Sequence, residues 1–168
     1  ETSDPEIIAW DLMAQSEHDP DASSILICNS EAIISKVKEV IKKEIELLDR
    51  RSIIAESLNA YGLMVKIKSL SEAKDIINLL APEHLHLSFD HENFHDEDEL
   101  IAGLILKGID SANSFSDYVL GPSHILPTNS SAKFSSPLSV EDFLVSYSYV
   151  ALNKNCLLYT SDAADDWF

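Results

Sequence analysis

Short apolar runs separated by capped helical stretches constrain this chain more than any other feature. "SSILIC" at residues 23–28 has the continuous apolar character of a buried strand. "YGLMVKIK" at 61–68 reads as a second strand, and "HLHLSF" at 84–89 as a third by strict alternation. A further apolar run, "LIAGLILKG", follows at 100–108. The stretches between them carry helix start signals. Asp4-Pro5 is an N-cap with proline at the first helical position, and the helix it opens carries Ile7, Ile8, Trp10, Leu12 and Met13 toward a core, as far as about His18. Ser30 caps a long helix with Ile33, Ile34, Val37, Val40, Ile41, Ile45 and Leu48 at helical spacing. A helix through Ile53 and Leu58 follows, and Ser69 or Ser71 caps another through Ile76, Ile77 and Leu80. Strands alternating with helices imply an α/β fold with a partial doubly wound, mainly parallel sheet and helices on its faces. Ligands of such sheets sit beyond the carboxyl ends of the strands.

After Gly108 the pattern changes to "IDSANSFSDYVLGPSHILPTNSSAKFSSPLSVEDFL", rich in Ser, Asn, Pro and Gly and without clear periodicity. A long ordered loop of this kind is usually functional. The expected division is an α/β part over 1–108, then a loop region with a following helix over 109–155. No internal repeat, dinucleotide fingerprint or P-loop is present, and four glycines offer little for a phosphate cradle.

Charge narrows the partners. The net charge of −17, from 29 acidic against 12 basic residues, argues against nucleic acid and against anionic membrane surfaces. No apolar run reaches the roughly 18 residues a membrane span needs. Cys28 and Cys156 lie far apart and form no CxxC, so neither a disulfide framework nor a cysteine zinc site is signalled, and a reducing, cytoplasmic compartment is expected.

Four polar clusters stand out against this frame: Gln15 with His18, Glu83 with His84, Asp117, and His124. Gln15 and His18, three apart on a helix, can reach one ion, and zinc accepts imidazole nitrogen and oxygen ligands. On spacing alone a surface pair at a helix end is the better explanation, because His there interacts favourably with the dipole and Gln one turn earlier is a common surface residue. In "APEHLHLSF", Pro82 stops a helix and leaves Glu83 and His84 at the entry to a strand, where an acid and an imidazole can divide proton transfers between them; a solvated turn is the bland alternative. Asp117 can be an oxygen ligand or an Asx turn, and His124 can hydrogen-bond a polar substrate group. His86 sits among apolar strand neighbours, and His91 and His95 fall in an acidic turn at 90–99, so these three are read as structural or solvated.

Taken in order, "DPEIIAWDLMAQSEHDPDA", "APEHLHLS" and "SDYVLGPSHILPTNSSAKFSSPLSVEDFL" resemble histidinol dehydrogenases, over nearly all of residues 1 to about 155. The resemblance implies an incomplete Rossmann-like domain of a zinc-dependent, NAD-linked enzyme that oxidises histidinol to histidinal and then to histidine. It implies that Gln15, His18 and Asp117 are zinc ligands, that these with His84 and His124 contact substrate, and that Glu83 and His84 are the catalytic pair. It also implies a homodimer whose partner's tail completes the site. On this reading the chain is a piece of the family's C-terminal half that lacks most of the cofactor-binding half and the tail, so no NAD-contacting residue is assigned. Ser116 stands where the family usually has glycine. The final "CLLYTSDAADDWF", residues 156–168, reads as a translated sequencing adapter rather than natural protein.

Two readings from other classes compete: a non-catalytic acidic α/β module that binds a partner or a divalent ion through residues 90–99, and a zinc hydrolase with Glu83 as base. They are separated by whether Gln15, His18, Glu83, His84, Asp117 and His124 converge on one cleft, expected at the sheet's carboxyl edge.

Overall fold

A computed structural model describes residues 3–89, 99–113 and 121–152. The chain divides into two compact units, Glu1–Leu138 and Ser139–Phe168. The second is described through Leu152 and holds a 3-10 turn, Val140–Phe143, closed where Asp142 accepts the Ser139 N–H at 2.7 Å. The helix expected after the loop region is reduced to this turn. Val145, Tyr147, Tyr149 and Val150, just beyond it, are weak helix formers. Residues 156–168, read from sequence as adapter-derived, lie outside the described residues.

In the first unit the order is α1 (Pro5–Ser16), β1 (Ile25–Cys28), α2 (Glu31–Glu44), α3 (Arg51–Tyr61), β2 (Leu63–Lys66), α4 (Leu70–Leu80), β3 (His84–Leu87) and β4 (Leu104–Lys107). The caps are local chemistry. Asp4 accepts the Glu6 N–H at 2.8 Å ahead of Pro5, Ser30 accepts the Ile33 N–H at 3.4 Å, and Ser69, rather than Ser71, accepts the Glu72 N–H at 3.2 Å.

β1 and β2 pair in parallel, with Leu26 opposite Met64 and Ile27 opposite Val65. Period-two alternation then divides these pairs between two faces. Leu26 and Met64 pack on Ile8, Ala9 and Val37 of α1 and α2, whereas Ile27 and Val65 pack on Ile67, Ala73 and Ile77. Burial of α1 follows a stripe through Ile8, Ala9, Met13 and Ser16. At about 100° per residue Trp10 lies roughly a third of a turn from that stripe and is 42% exposed, so it does not join the core as its apolarity suggested.

β3 and β4 form a second parallel pair, His84 opposite Leu104 and His86 opposite Leu106. The parallel, helix-flanked character therefore stands, but among the described residues as two two-stranded sheets rather than one. A cleft of about 930 Å³ is lined by Leu26 and Ile27 of one pair and by Leu85 and Leu87 of the other.

Candidate functional site

The end of α1 forms one wall of the site. Ser16 and Ser24 are buried, their hydroxyls lie 2.8 Å apart, and each donates to the Leu12 carbonyl at 2.9 Å. This cross-tie binds the helix end to the entry of β1 and fixes the turn between them. Gln15 occupies the last helical turn, and His18 lies just beyond the helix, its N–H donating to the Gln15 carbonyl at 3.4 Å. The helix is thus two residues shorter than its apolar pattern suggested. Asp19 closes the turn by accepting the Asp21 N–H at 2.8 Å.

The second wall comes from the entry to β3. α4 ends at Ala81, which adopts a left-handed conformation (φ 44°) without being glycine. Its final carbonyls are capped from a distance: Ser130 Oγ donates to Leu80 O at 2.6 Å and Lys133 Nζ to Leu79 O at 2.8 Å. After Pro82, residues 82–83 run against the chain entering β4, where the Gly103 N–H donates to Pro82 O at 2.9 Å and the Leu104 N–H to Glu83 O at 2.8 Å. Asn78 of α4 steadies that chain, donating to Glu99 O and accepting the Ile101 N–H, both at 2.8 Å. Glu83 is thereby held immediately before β3, and His84 is the strand's first residue.

Residues 121–128 supply the third wall. Gly121 takes a positive φ of 79°, and Ser123 Oγ accepts the Ile125 N–H at 3.1 Å. Leu126 and Pro127 are buried beneath this segment. The three walls enclose a cavity of about 590 Å³ lined by Gln15, His18, Glu83, His84 and His124, with Asp19, Asp21 and Thr128 beside them. Three carboxylates and three imidazoles therefore share one opening, which suits a cationic or amine-bearing ligand able to exchange protons. Neither Asp19, beside His18 at the end of α1, nor Asp21 was assigned a role from sequence.

One expectation changes here. The cavity lies at the amino ends of the strands, since Glu83 precedes β3, Leu104 opens β4 and Ala22 precedes β1. The reason is that its walls are the loops that enter strands, α1 to β1 and α4 to β3, rather than those that leave them. Asp117 lies within 114–120, outside the described residues, as do Ser116, His91 and His95. Among the described residues no group of three or more His, Cys, Asp or Glu side chains gathers to hold a metal ion. Gln15 and His18 are one carboxamide oxygen and one imidazole nitrogen on the same cavity, a donor pair of the kind zinc accepts but one short of the three protein ligands of a catalytic site.

His86, read from sequence as a structural strand residue, is joined to Asp11. Its Nδ1 lies 2.6 Å from Asp11 Oδ2 and its Nε2 2.8 Å from the Gly108 carbonyl. Burial opposes charge on this ring, but the Asp11 hydrogen bond, the Gly108 carbonyl and the Asp11 charge outweigh it and hold the His86 pKa above the ordinary 6.5.

Fold and cavity together define the class: an α/β enzyme domain with its titratable side chains at the strand entries. The chain belongs to the histidinol dehydrogenase family, a family of oxidoreductases, and the family model described as Histidinol dehydrogenase matches residues 1–166. Curated relatives named Histidinol dehydrogenase include one from Clostridium acetobutylicum, 43% identical over 162 residues, and one from Caldanaerobacter subterraneus, 41% identical over 163. Each alignment covers 96% of this chain and 38% of the relative, so the chain spans well under half of their length. The crystal structure of histidinol dehydrogenase from Elizabethkingia anophelis is similar at a TM-score of 0.78 and 33% identity, covering 83% of this chain and 32% of that one. Family membership favours an oxidoreductase over the hydrolase, and residues 90–98, through which the non-catalytic module would bind, lie outside the described residues.

Proposed function

We propose that this chain supplies the substrate and proton-transfer side of a zinc-dependent, NAD-linked histidinol dehydrogenase, which oxidises histidinol through histidinal to histidine as the closing steps of histidine biosynthesis. One observation carries the reading: Glu83 and His84, set at the entry of β3, share a single cavity with Gln15, His18 and His124.

Gln15 and His18, with Asp117, would hold the zinc. When bound, zinc supplies a fixed anchor for the substrate's imidazole and amino nitrogens, so that the carbinol carbon is oriented for reaction. His84 accepts the alcohol proton in the first oxidation, for which NAD, when bound, would supply the hydride acceptor. Glu83 takes a proton from the water that adds to the aldehyde carbon, and a second equivalent of NAD would supply the oxidant that turns the hydrate into the carboxylate. His124, on the facing loop, hydrogen-bonds substrate. The walls position these groups: the Gly103 and Leu104 N–H bonds fix the backbone that carries Glu83, and the serine cross-tie fixes the turn that carries His18. In the whole enzyme, a cytoplasmic homodimer, the tail of the partner subunit completes the site.

The test uses the full-length enzyme and two substrates. Glu83→Gln keeps the shape and removes the base, so in single-turnover kinetics it should slow oxidation of supplied histidinal by about 10²- to 10⁴-fold while sparing the first hydride transfer from histidinol. His84→Asn should slow that first transfer instead. Equal losses on both substrates from Glu83→Gln, with zinc content intact, would assign the carboxylate a positioning role and overturn this division.

A further inference from the structure

Asp11 and His86 have no part in the chemistry above, yet they join three elements at one point. Both are largely buried, with side chains 15% and 13% exposed. Both His86 ring nitrogens face acceptors, Asp11 Oδ2 at 2.6 Å and Gly108 O at 2.8 Å, so the ring donates twice, as an imidazolium beside a carboxylate. Asp11 uses its other oxygen to accept the Asn113 N–H at 3.1 Å. Thus α1, β3 and the chain that leaves β4 meet in one charge-assisted knot.

The spacing relates this knot to the cavity. α1 runs against the direction of β3, because the helix end and the strand entry line the same cavity while Asp11 meets His86 away from it, earlier on the helix and later on the strand. From Asp11 to Gln15 the helix advances about 6 Å. From His86 back to His84 the strand covers about 6.6 Å. Pairing Asp11 with His86 therefore brings Gln15 level with His84, and sliding α1 by one residue would swing Gln15 by about 100°.

We propose that the Asp11–His86 pair is a positioning device that locks α1 to β3 in the register that sets Gln15 opposite His84. Apolar packing could hold the helix on the strand, but it is non-directional. Two charge-assisted hydrogen bonds are directional and admit one register. Replacing a buried pair as a whole by apolar residues is often neutral or stabilising, so what such a replacement removes is the register rather than net stability. This inference rests on the cavity reading given under Proposed function.

The test uses the zinc-loaded full-length enzyme and three readouts: thermal midpoint, rate of zinc release to a chromophoric chelator, and kcat with KM for histidinol and NAD. The paired variant Asp11→Leu with His86→Leu should melt at or near the wild-type temperature. It should nevertheless release zinc about 10- to 100-fold faster and lose kcat by a similar factor, as supporting partners of metal ligands do when removed, with KM for NAD unchanged. His86→Gln, which keeps an N–H toward Asp11, should recover most of both losses. Wild-type zinc release and kcat in the paired variant would overturn the positioning role. If that variant fails to fold, Asp11→Asn is judged on the same readouts, and an effect confined to its melting temperature refutes the proposal. Gln15→Leu is the control on the underlying reading: unchanged zinc release there would overturn the zinc assignment itself, whatever the paired variant does.

Discussion

Replacing Gly103 with alanine should damage the site from behind, without touching a side chain proposed to act. A Cβ at residue 103 would sit 2.7 Å from Glu83 O, 3.1 Å from Pro127 Cδ and 3.3 Å from Pro127 Cγ, and two of these walls are backbone and a buried proline. Ordinary contact begins at 3.4 Å, so the Glu83 carbonyl must retreat by about 0.7 Å. The same carbonyl accepts the Leu104 N–H at 2.8 Å, so its retreat stretches that bond to about 3.5 Å, outside the usual hydrogen-bond range. Overpacking of this kind costs about 2 kcal/mol and the lost bond about 1 kcal/mol, while reduced freedom of the unfolded chain returns about 0.7 kcal/mol. The net is a destabilisation of about 2 kcal/mol, which for a unit of this size lowers the melting midpoint by about 6 °C. A shift of several tenths of an ångström at Glu83 should also slow histidinal oxidation by about tenfold, since a misplacement near 1 Å can cost about a hundredfold. Calorimetry and single-turnover kinetics on Gly103→Ala in the full-length enzyme read the two effects. A midpoint within about 1 °C of wild type, together with unchanged histidinal turnover, would show that the backbone around Glu83 yields easily and that Gly103 does not hold it.

Stability should also depend on pH through His86. Its folded pKa is raised, so its contribution is fully present below the unfolded value of 6.5 and is lost as pH rises through the higher folded pKa. The melting midpoint should therefore fall as pH climbs above about 6.5, and His86→Gln should flatten that fall; equal slopes in both proteins would exclude the Asp11 pair as its source. The 168-residue chain alone, spanning 38% of its relatives, is expected to give no NAD reduction with histidinol even when loaded with zinc, and measurable turnover would show that the remaining length is dispensable.

What the sequence determined by itself is the content of each element. Asp4, Ser30 and Ser69 cap helices because their partners lie two or three residues away, and such bonds form wherever that stretch is placed. The apolar runs became strands for an equally local reason, the alternation that lets one strand serve two faces. The polar residues lining the cavity, Gln15, His18, Glu83, His84 and His124, were legible through the three ordered motifs that resemble a family, since on spacing alone a helix-end pair and a solvated turn would account for most of them. Tertiary structure alone decided which ends of the strands carry the cavity, because alternation gives strand faces and leaves open which set of loops will converge. It decided that Trp10 faces outward, since apolarity names a residue's preference while packing of the Ile8, Ala9 and Met13 stripe fixes the helix rotation. And it gave His86 its partner, a carboxylate 75 residues earlier in the chain, because a hydrogen bond across that separation exists only once α1 has been laid along β3.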